Sequence, residues 1–361
     1  MKRFFFSAIA LMVAATACTE SGLIDTPAFY KNAIVFDTYV GKNPETKALS
    51  VDETYLQQTS ANGGGVHMYA FLKDTNTGII DFANPYLDGE LLYVDEAWGY
   101  YEDETLVDAY WPDGYRLAFA AYSLNAKKTL PDSREYISAI SDNYEFDFTV
   151  MEATSEQIDL LAMAFSDNVA TVNTTTGDTQ VSLTFQHLLS RVGYSVYATS
   201  EGVWIDIKSI KLCGAFPKKG KVNLTSSPAA IQPITTGSNA YTYSYEFFGQ
   251  NEYFHISSSD CSPAATDAAV ISSNRSGTTP IDKSNDCYQM IMPGQVDDLY
   301  IEVTYTLDDG DDRYAKVDLG TWTFKAGYAY QFIFRIATAA IEFSATIVEG
   351  TDWTTPTPDE L

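Results

Sequence analysis

The chain's reactive groups are three histidines, four cysteines and 48 carboxylates. His67, His187 and His255 stand far apart, and none has a second histidine two or four residues away. Zinc sites on one strand or helix need such spacing. No nucleophile elbow, metalloprotease helix motif or phosphate-cradling glycine loop is present. Asp95 and Glu96 are adjacent acids of the kind that glycoside hydrolysis uses, but with 48 acids such pairs occur by chance. The run DDGDD, Asp308 to Asp312, lacks the spacing and terminal Glu of a helix-loop-helix calcium site, so it reads as a solvated hairpin tip. The cysteines, Cys18, Cys213, Cys261 and Cys287, form no CxxC pair. The aromatic run of Trp98, Tyr100 and Tyr101 offers flat apolar faces on which sugar rings could stack, whereas Trp111 and Trp204 read as core. These residues predict no catalytic centre, no metal site and no cofactor, and leave glycan contact as one binding chemistry.

The elements that must hold these residues are strands. Aromatics make up 14% of the chain, with 25 Tyr and 20 Phe, a bias that suits pleated, half-buried surfaces. Period-two alternation recurs throughout. Ile34, Phe36 and Val40 share one face of a strand. Phe146, Phe148 and Val150 share another, as do Val203, Ile205 and Ile207. The segment from Leu299 to Phe324 reads as two strands about an Asp309–Gly310 turn. Turn signals at Pro112–Asp113–Gly114, Pro293–Gly294 and Ala326–Gly327 separate further strands. Many short strands with regular turns and almost no helical periodicity predict sheet packed on sheet.

One stretch breaks its own pattern. In QVSLTFQHLLSRVGYSVYA, Gln180 to Ala198, apolar residues occupy odd positions before His187 and even positions after Arg191. An odd number of extra residues flips the side-chain parity. A bulge or single helical turn at that point lets a strand leave one sheet for another. His187 then serves the bend, by satisfying a backbone carbonyl, rather than acting as a base.

The net charge of −26 excludes nucleic acid as a partner. The N-terminus has Lys2 and Arg3, an apolar run from Phe4 to Ala15, then Ala15, Thr16, Ala17 and Cys18. This is the pattern of an export signal, and it resembles that of bacterial lipoproteins, in which the Cys becomes the lipidated first residue. A lipid on Cys18 would be the only membrane attachment expected. The three remaining cysteines leave an odd thiol, and export permits a bridge between Cys261 and Cys287. With 361 residues, two domains are expected: residues 1–17 as signal, 18–168 and 169–361.

Several segments, in order along the chain, resemble the fimbrillins of the Bacteroidales, the lipoprotein-derived subunits of type V pili. They include IVFDTYVGK, VHMYAFLKD, DAYWPDGYRLAFAAYS, IDLLAMAF, VSLTFQHLLSRVGYSV, YQMIMPGQVDDLYIEVTYTL and the closing TWTFKAGYAYQFIFRI to TDW. The resemblance implies two tandem transthyretin-like β-sandwich domains and a surface-exposed fibre subunit or adhesin. It also implies assembly by strand exchange with other fimbrillin subunits. The family's stalk subunits are cut after the first strand by an Arg-specific protease, and the vacated groove takes the C-terminal strand of the next subunit. Here no Arg stands between Arg3 and Arg116, so Lys42 and Lys47 become the candidate cleavage positions. The groove-forming first strand would be the one carrying Ile34, Phe36 and Val40. The donor strand would carry Ile341, Phe343 and Ile347. Host or bacterial surface glycans or proteins are further implied partners, and the location implied is the outer membrane surface or a pilus.

Overall fold

The structure is a computed structural model that describes residues 33–40, 56–58, 64–152, 156–167, 170–172, 179–198, 205–235, 243–246, 254–256, 269–270, 289–307, 310–336 and 346–350. Strands dominate it, as the alternation predicts. The first half holds β1 (Ile34–Val40), β2 (Val66–Asp74), β3 (Leu87–Val94), β4 (Ala97–Glu102), β5 (Thr105–Leu106), β6 (Tyr115–Ser123), β7 (Glu145–Thr149), β8 (Leu161–Met163), β9 (Ala170–Val172) and β10 (Thr179–His187). The second holds β11 (Ser190–Ala198), β12 (Ile205–Gly214), β13 (Lys219–Asn223), β14 (Ile231–Pro233), β15 (Tyr243–Glu246), β16 (Phe254–Ile256), β17 (Ala269–Val270), β18 (Gln289–Ile291), β19 (Gly294–Leu307), β20 (Arg313–Phe324), β21 (Ala329–Ile336) and β22 (Thr346–Gly350).

Four sheets result. The largest has the order β1-β10-β8-β6-β2-β3-β4-β5, with β9 also on β10. Two five-stranded sheets follow, β17-β11-β21-β22 with β18 on β11, and β15-β12-β19-β20 with β16 on β12. A small sheet, β14-β13-β7, joins residues 145–149 to residues 219–233. The hairpin expected around Gly310 is present: β19 and β20 pair antiparallel from Gly294↔Phe324 to Tyr305↔Arg313.

The middle of the largest sheet, β2 and β6, is buried on both faces. Val66, Met68 and Ala70 of β2 join Leu117, Phe119 and Ala121 of β6 in one apolar cluster. Tyr69 and Phe71, with Ala120 and Tyr122, enter a second cluster on the other face. A strand covered on both sides has no polar face to present. That explains why VHMYAFL and LAFAAYS read as nearly continuous apolar runs. The first cluster is enclosed by the sheet itself. Ala33 bridges Tyr110, Ile34 N–H donates to Ala109 O at 2.9 Å, and the Phe36 and Tyr100 rings lie 6.3 Å apart. The two ends of the sheet therefore approach each other across the first cluster. The second cluster runs on through Phe146, Leu188, Ile210, Ile301, Tyr305 and Phe332 into the other sheets.

The parity break now has a structural meaning. β10 lies in the largest sheet between β1 and β8, whereas β11 pairs with β21 in a different sheet. The chain changes sheets at Leu188 and Leu189, both fully buried. Val181, Leu183 and Phe185 fill the enclosed cluster before the step, and Val192 fills the shared cluster after it. The expected division after residue 168 lies outside the described residues.

Candidate functional site

β1 is a seven-residue edge strand whose alternate side chains point inward. Ile34, Phe36, Thr38 and Val40 are buried, while Val35 is exposed. Its single ladder is parallel to β10, from Ile34↔Thr179 to Val40↔Phe185. On its other side the backbone is held at its beginning, by Ala109 and Tyr110. Val181, Leu183 and Phe185 belong to the same enclosed cluster. Burial of Ile34, Phe36 and Val40 contributes about 5–9 kcal/mol on transfer grounds. That equals much of an ordinary domain's net stability. Removing β1 would uncover both a row of backbone donors and acceptors on β10 and a long apolar slot.

Tyr100 lines this slot. Its ring lies across Gly89 of β3, where an added Cβ would come within 2.8 Å of the ring and 2.4 Å of Tyr101 O. Only glycine leaves that space. The Tyr100 hydroxyl donates to Glu102 Oε1 at 2.9 Å and accepts from Asp88 N–H at 3.0 Å. Burial, then the bond to Glu102, pushes this phenol well above its usual pKa. Trp98 shares the inward pleat and packs on the same cluster. Tyr101 points to the opposite face of β4. The three rings proposed as a sugar platform therefore do not share one exposed surface, because their odd and even positions alternate across the pleat. Trp111 is half-buried against the cluster, edge-on to Phe119, and Trp204 lies outside the described residues.

The histidines are engaged rather than convergent. His67 contacts Asp88 Oδ1 through Nε2 at 2.9 Å and Lys127 Nζ through Nδ1 at 2.9 Å. His187 Nδ1 lies 2.6 Å from Asp159 Oδ2, both side chains being buried. One partner of His187 is thus a carboxylate. Asp159 also accepts from Asn125 Nδ2 through its backbone oxygen at 2.7 Å. The pair sits where β10 ends and the chain steps between sheets. His255 lies on β16, opposite Asp206 of β12. Among the described residues no group of three or more His, Cys, Asp or Glu side chains could hold a metal ion. Cys213 is a buried free thiol, its pKa raised first by burial. A cavity of about 440 Å³ opens beside the step, lined by Gln186, Pro228, Ile231, Pro293 and Tyr328 among others.

Asp95 and Glu96 form the tight β3–β4 turn, both with positive φ, at 52° and 65°, a structural role that accounts for their adjacency. Asp312 is ion-paired with Lys208, and Asp308 lies outside the described residues. So do Cys18, Lys42, Lys47, Cys261, Cys287, Ile341 and Phe343. Ile347 lies on β22, opposite Phe332 of β21. Sequence reasoning missed Thr38 and the wall of the slot on β10. The alternation of Val181, Leu183 and Phe185 was visible, but nothing local says which sheet they serve.

The fold and the slot define an all-β protein whose enclosed cluster is completed by its first described strand. The chain belongs to the fimbrillin-like family, whose profile matches residues 58–353. Among solved structures it is similar to a fimbrial protein from Bacteroides vulgatus ATCC 8482, with 15% identity and a TM-score of 0.62, over 90% of this chain and 100% of that one. It is also similar to a proposed cell adhesion protein from Bacteroides ovatus ATCC 8483, at 13% identity and a TM-score of 0.49, over 91% and 100%. No curated protein sequence matches it. No helix among the described residues is long and apolar enough to cross a membrane.

Proposed function

We propose that this protein is a non-catalytic fimbrial subunit of a type V pilus. It is exported as a lipoprotein anchored to the outer membrane through Cys18, and it acts in adhesion and fibre assembly. In this reading the segment after β1, which contains Lys42 and Lys47, is cut. β1 leaves, and a C-terminal strand carrying Ile341, Phe343 and Ile347 from the next subunit enters the slot. The observation that carries the reading is the state of β1: it is an edge strand, held by one ladder, yet its buried face completes an enclosed core. A strand so placed is removable in one piece, and the slot offers both main-chain pairing and alternate side-chain pockets to a replacement. Family membership and the fold likeness to a fimbrial protein support the same reading.

The test is to express the exported chain, treat it with surface proteases of its host strain, and follow two products. Cleavage mapped to the segment after β1, followed by SDS-resistant ladders, is the expected result. A chain that is cut there and stays monomeric at high concentration refutes assembly by exchange.

A further inference from the structure

The sheet β15-β12-β19-β20 ends on one side at β20, which is 12 residues long and, among the described residues, paired with β19 alone. The other strands that end sheet orders have 7 residues or fewer. A long open edge offers backbone donors and acceptors to another strand. Lysines and bulges commonly guard such edges, and β20 has both, in Lys316 and the register slip at Gly320. The lysine is not alone on its face. Lys316 Nζ pairs with Asp318 Oδ1 at 3.1 Å. Tyr314, 58% exposed, precedes them on that face, and Gly320 follows. No atom lies within 4 Å of the place a Cβ on Gly320 would take. Ala315, Val317 and Leu319 alternate with these and are half-buried, Ala315 and Leu319 packing on the shared cluster. The outward order is therefore aromatic, cation, anion, glycine. It is complementary to its own reverse.

We propose that β20 is a self-complementary interface, which pairs antiparallel with β20 of a second copy about a two-fold axis at Val317. Directly opposite residues of an antiparallel pair lie on one face of the joined sheet. Charge then selects the register. An axis at Lys316 opposes lysine to lysine, and one at Asp318 opposes aspartate to aspartate. An axis at Ala315 sets Asp312 against Asp318, and one at Leu319 centres the pairing beside the slip at Gly320. The axis at Val317 sets Lys316 against Asp318 twice, Ala315 against Leu319 twice and Tyr314 over Gly320 twice. Opposite charges directly across strands are favourable and like charges are not. An aromatic ring across from a glycine covers backbone that the glycine leaves bare. The half-buried rows of the two copies become one continuous apolar row. An interface of one strand per copy is small, so the dimer is a weak one. The inference is independent of the strand-exchange reading, because β1 stays seated and nothing is cut.

The experiment is sedimentation equilibrium of the uncut exported chain in mild detergent at about 0.15 M salt, where repulsion is screened beyond about 8 Å. The expected result is a monomer–dimer equilibrium with a dissociation constant between about 1 μM and about 1 mM. Lys316→Asp and Asp318→Lys should each weaken the dimer by about tenfold or more, since each turns two opposite-charge pairs across the axis into like-charge pairs. Mixed in equal amounts, the two variants should form a heterodimer about as tight as the wild-type dimer, because every lysine again faces an aspartate. Damage confined to one chain is not repaired by mixing. A chain carrying Lys316→Cys, oxidised together with one carrying Asp318→Cys, should give a disulfide between those two positions, located by mass spectrometry, and neither chain alone should link through its new cysteine. A wild-type chain that stays monomeric at about 1 mM overturns the interface and leaves Lys316 as a guard of the edge. A dimer that ignores the charge variants, or variants that mixing does not rescue, overturns the register. Should either charge variant fail to fold, the cysteine pair decides the register: a link between two copies of position 316, in place of one from 316 to 318, refutes it.

Discussion

At the scale of single residues, the polar pairs among the described residues tie strands together. Asp159 and His187 pin the end of β10 at the step between sheets. Lys73 on β2 is paired with Asp167, beyond the end of β8. The Asp167 carboxyl is held below the usual carboxylate range, first by the hydrogen bond from Lys73 and against the penalty of desolvation. A depressed acid stabilises the fold above its unfolded pKa, near 4. That contribution is lost as pH falls through the lower folded value. Asp167→Asn is therefore expected to destabilise the protein at pH 7, by about 1 kcal/mol or less given the pair's partial exposure. The gap to the wild type should close on acidification to about pH 2. Thermal unfolding of both forms across this range checks the sign, and a gap that widens in acid contradicts it. None of these pairings was legible in the sequence. The partners stand far apart along the chain, and a lysine or aspartate that pairs looks like one that does not.

At the scale of elements, the parity change between Phe185 and Val192 was legible, and it marks the step between sheets. What surrounds the step was not. β1 lies parallel to β10, and β7 pairs with β13. Each pairing joins distant segments whose alternation fits several neighbours equally well. The two-faced burial of β2 and β6 was visible only as unbroken apolar runs, which a single sequence does not distinguish from other buried segments. Tyr100 illustrates the same limit. Its spacing from Trp98 was plain, but that spacing puts both rings on the inward pleat. If residue count sets the parity at the step, length matters there more than side-chain identity. Leu189→Ala keeps the count and removes a buried side chain, so it is expected to cost about 2–5 kcal/mol while the protein stays folded. Deleting Leu189 instead turns Val192 out of the core and flips the parity of the strand that follows. That variant should lose its near-UV dichroism and its cooperative unfolding transition. If the deletion is tolerated as well as the alanine variant, parity is not what the step encodes.

At the scale of the whole molecule, charge opposes the proposed assembly, which the slot would favour. Each chain carries a net charge of −26. Two copies brought within strand-swapping distance repel along their whole surfaces, not only at the slot. The range of that repulsion is set by salt, about 30 Å at 0.01 M and about 8 Å at 0.15 M. A short donor peptide escapes most of it, because residues 339–349 carry only two acids, Glu342 and Glu349. The same slot should therefore show two salt dependences. Displacement of β1 by the peptide should change little between 0.01 and 0.15 M salt. Ladder formation between full-length cut subunits should accelerate on the order of tenfold or more over that range, as the encounter of like-charged bodies becomes screened. Time courses of both reactions in one salt series separate the effects. Ladder formation that is independent of salt, or slowed by it, would mean that the acidic surfaces do not meet when subunits join, and that the subunits approach along a path where positive and negative groups face each other.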